Sequence, residues 1–319
     1  MNEIVIFSLT SSIALTQEIC DYLKLEKGKC SVRHFSDGEI LVEPEETVRG
    51  RSVYIIQSTC YPVSERIMEV LIAIDSCRRA SAGEINVIMP YYGYARQDRK
   101  ARPRQPITSR LVANLLETAG ANRVVTVDLH ASQIQGFFNI PIDDLTCINM
   151  LGQYFRSKQL DPEKIVVVSP DHGGTTRARK LADCLNAPLA IIDKRRPKPN
   201  VAEAMNVIGD VAGRTAIIVD DICDTAGSLV AGINILKKYG AEKIFCAITH
   251  SILSGEALDR INNAPIEEFV TTNTIPLSSE KREACPKITI LSVGYMLAKT
   301  IEAIQAHSPV SEVYDLFND

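Results

Sequence analysis

Two adjacent carboxylates and a turn of small and hydroxyl-bearing residues lie close together in the sequence. Asp220 and Asp221 follow the apolar run 216–219, and the turn Asp224-Thr-Ala-Gly-Ser228 comes three residues later. The residues from Leu229 onwards have the apolar spacing of a helix. Because backbone N–H groups in a turn that opens a helix converge on an anion, we predict a phosphate site here.

The acidic pair needs something to draw it towards that site, because two carboxylates repel a phosphate directly. The vicinal hydroxyls of a ribose would do this, and so would a bound Mg²⁺, since both interact favourably with carboxylate oxygens. These residues alone do not decide between a ribose and Mg²⁺ as the ligand. The simplest alternative is an ordinary strand-to-helix turn with an aspartate cap.

Further polar side chains follow two other apolar runs. His130 comes after the run 124–127, and Asp171 and His172 come after the run 165–169. A histidine and an aspartate at neighbouring strand ends could share a cation, with either histidine as the ligand. Two structural roles stay open, namely a hydrogen-bonded histidine and an aspartate that caps the next helix.

Two basic, proline-containing segments come after apolar strands as well. Residues 94–106 carry five cations and one carboxylate, and residues 193–200 follow the run 189–192. A solvated loop or a nucleic-acid patch is the common interpretation of such runs. Both segments are expected at the carboxyl ends of strands, as the acidic pair is. This position favours contact with a charged ligand instead, and the second segment is long enough to act as a lid over it.

The elements that position these residues are β-branched runs that alternate with amphipathic helices. Residues 1–7 are predicted to form an opening strand. The other predicted strands are 53–57, 85–89, 124–128, 165–168, 189–192, 216–219, 244–248 and 288–291, and the predicted helices include 64–78, 109–118, 176–185 and 229–239. This alternation predicts parallel sheets with covered faces and sites at the carboxyl ends of the strands. A chain of 319 residues is too long to form one ordinary hydrophobic core, so we expect two α/β domains, 1–148 and 149–319.

Composition narrows the class of protein further. The net charge is −4 and the charges are dispersed, so we expect neither a nucleic-acid partner nor an anionic membrane. No basic n-region opens the chain and no apolar run reaches bilayer length, which predicts a cytoplasmic enzyme. The nine cysteines include no Cys-x-x-Cys pair, so we expect reduced and mostly buried thiols.

Several long motifs, in the same order, resemble the ribose-phosphate diphosphokinase family of the phosphate-dependent class. They extend from Ile6 to about Leu291 and comprise 35–39, 94–100, 127–131, 133–138, 170–174, 193–197 and the segment around the acidic pair. That segment resembles the ribose-5-phosphate signature of the phosphoribosyltransferase superfamily, with Ser228 where threonine is usual. The resemblance implies two phosphoribosyltransferase-like domains, each a mainly parallel sheet with helices on both faces.

The resemblance also implies an activity. It is the transfer of the β,γ-diphosphoryl group of ATP to the C1 hydroxyl of D-ribose 5-phosphate, giving 5-phospho-α-D-ribose 1-diphosphate and AMP for nucleotide biosynthesis. Mg²⁺ is the implied cofactor, and the implied assembly is a homo-hexamer with an active site shared between subunits. Two alternatives remain, a catalytically silent regulatory subunit of the same family and a phosphoribosyltransferase that consumes the diphosphate.

Residue roles are implied motif by motif. The implied ATP-binding residues are Phe35, Asp37 and Glu39 from a neighbouring subunit, with Arg96, Gln97, Asp98 and His130. The implied ribose 5-phosphate residues are Asp220, Asp221, Asp224, Thr225, Ala226, Gly227 and Ser228. His130 and Asp171 match the family's Mg²⁺ ligands, and Lys194 and Arg196 match its catalytic lid cations.

Overall fold

The computed structural model describes residues 4–195 and 204–317. The strands are β1 Ile4–Ser8, β2 Cys30–His34, β3 Ile40–Pro44, β4 Ser52–Ile56, β5 Glu84–Met89, β6 Arg123–Val127, β7 Ile142–Leu145, β8 Ile165–Ser169, β9 Leu189–Arg195, β10 Ala204–Ile208, β11 Thr215–Cys223, β12 Lys243–Ser251, β13 Glu268–Thr272 and β14 Ile288–Leu291. The helices are α1 Ile13–Leu23, α2 Val63–Arg79, α3 Thr108–Ala119, α4 Ile148–Ser157, α5 Thr175–Cys184, α6 Gly227–Lys238, α7 Ala257–Asn263, α8 Ser279–Ala284 and α9 Gly294–Ala306. Short 3₁₀ segments cover Ser132–Phe137, Pro162–Lys164 and Val310–Phe317.

The chain divides into two units. The first contains the chain up to Thr146 together with Thr274–Pro276 and Ser292–Val313, and the second contains Cys147–Asn273, Leu277–Leu291 and the chain from Tyr314 on. The break after Thr146 lies two residues before the expected boundary at 148. Ser292–Val313 belongs to the first unit, however, because α9 packs against α1.

The first unit is built on a parallel sheet in the order β1-β4-β5-β6-β7. Every residue of β4 is buried, so both faces of the sheet are covered at this strand. Strands β2 and β3 form a separate antiparallel hairpin. The rings of Tyr22 on α1 and Tyr295 on α9 meet edge to face at 5.3 Å. The parallel order brings the loops after β5 and β6 to the same edge.

The second unit contains a seven-stranded sheet in the order β10-β9-β8-β11-β12-β13-β14. Its strand pairs are parallel except β10 with β9. Strand β11 lies at the centre, and β8 beside it is buried at every residue. The α/β prediction is therefore confirmed, and the carboxyl ends of β8 and β11 are neighbours. The expectation that His130 and Asp171 follow neighbouring strands was wrong, because β6 belongs to the first sheet and β8 to the second.

All nine predicted strands and the four predicted helices are present within a few residues of their expected bounds. Three strands run further than expected: β9 continues to Arg195, β12 continues to Ser251, and β11, which was expected to end at Val219, continues to Cys223, so the acidic pair lies inside β11. The reason for β11 is the long neighbouring strand β12, which pairs Ile248 with Asp220 and His250 with Ile222. Strands β2, β3, β7, β10 and β13 and helices α1, α4, α7, α8 and α9 were not predicted.

All nine cysteines are free thiols and seven of them are buried, as expected. In the two described stretches, no helix combines the length and the apolar character needed to cross a membrane.

Candidate active site

The turn predicted to bind phosphate joins β11 to α6. Ala226 precedes the first residue of α6, has a left-handed backbone with φ 59°, and is 4% exposed. Thr225, Gly227 and Ser228 are exposed. The N-cap residue Ala226 has no side-chain cap hydrogen bond to the start of α6. The positive end of the helix dipole therefore lies at an open turn, which suits a phosphate group.

Residues that follow β12 hold this turn in place. The Ser254 hydroxyl donates to the Asp224 carboxylate, and the Ser254 N–H donates to the Asp224 carbonyl at 3.0 Å. Arg260 on α7 donates from Nη1 to the Thr225 carbonyl at 2.8 Å. Because these contacts come from the protein itself, the turn has its shape without a ligand, which lowers the entropic cost of binding one.

The acidic pair is held by a residue that the sequence analysis missed. Arg177 Nη1 on α5 lies 3.0 Å from Asp221 Oδ1 and 3.6 Å from Asp220 Oδ1. The Asp221 side chain is 5% exposed, whereas that of Asp220 is 32% exposed. Burial and then the Asp221 carboxylate raise the pKa of Asp220 to about 8, against the lowering effect of the Arg177 guanidinium.

Asp171 lies in the loop between β8 and α5. Its Oδ1 accepts the Gly174 N–H at 3.0 Å, and its carbonyl accepts the Ser169 hydroxyl at 2.6 Å. Gly174 is the cap residue of α5, so Asp171 braces the loop before the helix instead of capping it directly. Its carboxylate is exposed and has capacity for further ligands.

His172 has a different partner. Its Nε2 lies 3.0 Å from Oδ1 of the buried Asp193 on β9. This contact ties the loop after β8 to the end of β9, which gives His172 a structural use and makes it the weaker candidate for a metal ligand.

Arg96, Gln97 and Asp98 lie in the loop that follows β5 in the first unit. The Gln97 side chain accepts a hydrogen bond from Thr108 Oγ1 at 2.6 Å, and Asp98 accepts one from Gln133 Nε2 at 2.8 Å. These contacts fix the loop to the first residue of α3 and to the 3₁₀ segment. Arg96 and Gln97 are exposed beside these anchors.

His130 lies on a turn after β6, the strand next to β5. Asp128 in this turn has a left-handed backbone with φ 43°, and its Oδ1 accepts the Thr146 hydroxyl at 2.8 Å. The Leu129 N–H donates to Asp144 Oδ1 at 3.0 Å. This turn places the exposed His130 at the same sheet edge as the loop of residues 96–98.

Phe35, Asp37 and Glu39 form the tip of the β2–β3 hairpin. The Phe35 N–H donates to the Glu39 carbonyl at 2.8 Å, and the Glu39 N–H donates to Asp37 Oδ1 at 3.1 Å. Gly38 has φ 94°, a conformation that favours glycine. The whole tip is exposed, and Phe35 itself is 54% exposed.

The two predicted catalytic cations are located only in part. The backbone of Lys194 lies in β9 and pairs with Met205 of β10. The Lys194 side chain and the whole of Arg196 lie outside the described residues.

Three basic or polar residues that support the site were not predicted: Arg177, Ser254 and Arg260. One signal for Arg177 was available in the sequence, because a cation in the first turn of a helix opposes the helix dipole and calls for another partner. Ser254 and Arg260 carry no such signal, since their contacts with the turn come from a separate strand-to-helix connection.

Comparison with protein families gives two matches. A family model described as the N-terminal domain of ribose phosphate pyrophosphokinase matches residues 4–120. A second one, described as the phosphoribosyl synthetase-associated domain, matches residues 193–315. Together the two matches span most of the chain.

Individual relatives agree with these matches. The chain is 57% identical over 314 residues to the ribose-phosphate pyrophosphokinase of Bacillus caldolyticus, covering 98% of each chain. It is 56% identical over 309 residues to that of Bacillus subtilis strain 168, covering 97% of this chain and 96% of the other. The crystal structure of phosphoribosylpyrophosphate synthetase from Mycobacterium smegmatis superposes with a TM-score of 0.91 at 40% identity, covering 96% of this chain and 100% of that one. This chain therefore belongs to the ribose-phosphate pyrophosphokinase family.

Proposed function

We propose that this enzyme transfers the β,γ-diphosphoryl group of ATP to the C1 hydroxyl of ribose 5-phosphate. The observation that carries the proposal is the acidic pair of β11 placed just before the open start of α6, in a chain whose relatives are named ribose-phosphate pyrophosphokinases. Relatives that match over nearly the full length argue against a phosphoribosyltransferase and support an active enzyme over a silent subunit.

Ribose 5-phosphate binds in the second unit. The N–H groups and hydroxyls of residues 224–228 hold its 5-phosphate, because the turn is braced, open and at the positive end of α6. The Asp220 and Asp221 carboxylates accept hydrogen bonds from the ribose hydroxyls, which offsets their repulsion of the phosphate. This arrangement fixes the sugar at two ends and so orients its C1 hydroxyl.

ATP binds in the first unit, at the carboxyl edge of β5 and β6. Arg96, Gln97, Asp98 and His130 supply a cation, an amide, a carboxylate and an imidazole there, on loops anchored by Thr108 and other neighbours. We propose that these four residues recognise the nucleotide. Their hydrogen-bond donors and acceptors match those of a base, a ribose and a phosphate chain.

Mg²⁺ is the proposed cofactor, with Asp171 and His130 as its proposed ligands. Asp171 fits the ion, because it is an exposed carboxylate, which is a hard oxygen donor, and the Gly174 N–H orients it. His130 is exposed and would supply an imidazole nitrogen, a less usual donor for this ion. When bound, the ion would neutralise charge on the ATP phosphates.

The reaction needs positioning and charge neutralisation more than a nucleophilic side chain. The C1 oxygen attacks the β-phosphorus, a new C1–O–P bond forms, the bond between the α,β-bridging oxygen and the β-phosphorus breaks, and AMP leaves as the hydroxyl proton is released. We propose that Lys194 and Arg196 neutralise the negative charge that builds up on the phosphoryl oxygens in the transition state. A lid that carries them would also exclude water, which competes as an acceptor.

The active form is a homo-oligomer, a hexamer by the family resemblance, in which the hairpin tip of one subunit completes the ATP site of another. An exposed Phe35 at the end of an ordered hairpin supports this assignment, since a large apolar side chain in that place gains by being covered.

Product analysis tests the proposed function. ATP and ribose 5-phosphate are incubated with the enzyme and Mg²⁺, and the products are followed by ³¹P NMR. The expected products are AMP and 5-phosphoribose 1-diphosphate in equal amounts. Formation of ADP would contradict diphosphoryl transfer, and the absence of turnover in an assembled, ligand-binding protein would favour the silent subunit.

A further inference from the structure

Arg177 brings a positive charge directly to the acidic pair. It is the third residue of α5, and its side chain is 15% exposed. The same nitrogen, Nη1, lies 3.0 Å from Asp221 Oδ1 and 3.6 Å from Asp220 Oδ1. One guanidinium therefore contacts both carboxylates.

The dipole of α5 makes this position unfavourable for a cation. The first turn of a helix is the positive end of its dipole, so an arginine there is repelled unless a nearby anion compensates. Asp221 is such an anion. Arg179, two residues further along α5, is exposed and supplies a natural comparison.

The acidic pair needs Arg177 in return. A carboxylate that is only 5% exposed is costly to keep charged without a partner. Two adjacent carboxylates also repel each other, which favours a proton on one of them. A cation in contact with both lowers these costs and reduces the negative charge that a 5-phosphate meets at the neighbouring turn.

We infer that Arg177 is a positioning residue for ribose 5-phosphate, which lowers the cost of charging the Asp220–Asp221 pair and orients both carboxylates so that they accept hydrogen bonds from the ribose hydroxyls. The inference rests on the proposed ribose 5-phosphate site and adds to it a residue that acts through the carboxylates.

Calorimetric titration with ribose 5-phosphate, without ATP, tests this role. Arg177→Met and Arg177→Lys both keep an unbranched aliphatic stem, but only the lysine keeps the charge. We expect Arg177→Met to bind about tenfold more weakly or worse, and Arg177→Lys to recover most of the affinity. Arg179→Met, on the exposed side of the same helix, should bind like the wild type.

A kinetic split separates positioning from general damage. Arg177→Met should raise KM for ribose 5-phosphate and leave KM for ATP unchanged, whereas a loosened fold would impair both. Equal impairment of the Met and Lys variants would overturn the inference, since packing alone would then explain the loss.

Asp221→Asn distinguishes this inference from the site assignment. If Arg177→Met binds like the wild type while Asp221→Asn binds weakly, the role of Arg177 is overturned and the site stands. If both variants bind like the wild type, the site assignment and the inference fall together. If Arg177→Met does not fold, the affinity of Arg177→Lys for ribose 5-phosphate tests the role instead. A lysine variant that binds ribose 5-phosphate as weakly as Asp221→Asn would overturn it.

Discussion

At the residue scale, the two adjacent aspartates have different environments. Asp221 is almost fully buried and forms the shorter contact with Arg177, while Asp220 reaches solvent with about a third of its side chain (32% exposed). We therefore expect Asp220 to offer the more accessible carboxylate to the ribose hydroxyls and Asp221 to hold the pair in place. Their closeness makes the ionised pair costly in the unliganded protein, and this cost is measurable.

Asp220→Asn should raise Tm of the unliganded protein at high pH. The pKa of Asp220 is raised from 3.8 to about 8, so its ionisation costs stability as pH rises between these two values. The advantage of the asparagine variant should be absent near pH 4, grow towards pH 8 and stay constant above it. Scanning calorimetry across this range measures it, with the exposed Asp183→Asn on α5 as the control. An advantage that does not change with pH would contradict the raised pKa.

Ser228→Ala should weaken ribose 5-phosphate binding, and Ser228→Thr should leave it nearly unchanged. Serine and threonine hydroxyls can both donate to a phosphate oxygen, and a hydrogen bond to a charged group is worth roughly 1.5–3 kcal/mol. The dissociation constants from calorimetric titration decide the matter. Equal affinities of the serine and alanine forms would show that backbone N–H groups alone hold the phosphate.

At the element scale, the site depends on loops that are fixed to the ends of parallel strands. In the first unit, the Gly93 N–H donates to Thr59 Oγ1 at 2.7 Å, which joins the loop after β5 to the one after β4. A side chain at Gly93 has no room, because its Cβ would lie 2.6 Å from the Thr59 carbonyl oxygen. Three residues further on, this loop carries Arg96.

Gly93→Ala should therefore lower stability by about 1–3 kcal/mol and raise KM for ATP. The clash is with the backbone, so relief requires the loop of residues 96–98 to move. Urea unfolding and steady-state kinetics report the two effects. Gly136→Ala is the matched control, since in the described part of the chain its added Cβ has no atom within 4 Å beyond its own neighbours along the chain. Wild-type behaviour of Gly93→Ala would show that the loop absorbs the methyl group elsewhere.

At the scale of the whole molecule, each unit carries one group of candidate residues at the carboxyl edge of its own sheet. The first unit presents residues 96–98 and His130, and the second presents Asp171 and the β11–α6 turn. The hairpin tip with Phe35 is a third group and belongs to neither of these two sheets. We propose that a second subunit uses it.

Mixing two inactive variants tests the shared site. Phe35→Ala removes the hairpin contribution and Lys194→Ala removes the lid charge, so each variant alone should turn over slowly. After subunits have been dissociated and reassembled together, about a quarter of the sites should combine an intact tip with an intact lid, and activity should return. Native mass spectrometry verifies that the oligomers are mixed. If mixed oligomers remain inactive, Phe35 and Lys194 contribute to the active site of the same subunit.

Much of the architecture was accessible from the sequence because its signals are local. Apolar β-branched runs marked the central strands, and the small residues around Gly227 marked a turn before a helix. The candidate residues of each motif could likewise be named in advance, since a motif is a continuous stretch of chain.

Other features depended on contacts between distant segments, which no local pattern records. Pairing with β12 extended β11 through Asp220 and Asp221, packing of α9 against α1 placed a C-terminal segment in the first unit, and the fold of α5 onto the sheet brought Arg177 to the acidic pair. Strand ends, unit membership and charge partners are decided by which surfaces meet. Local patterns in the sequence therefore identify the candidate residues, whereas contacts between distant segments set the charge and orientation of their side chains.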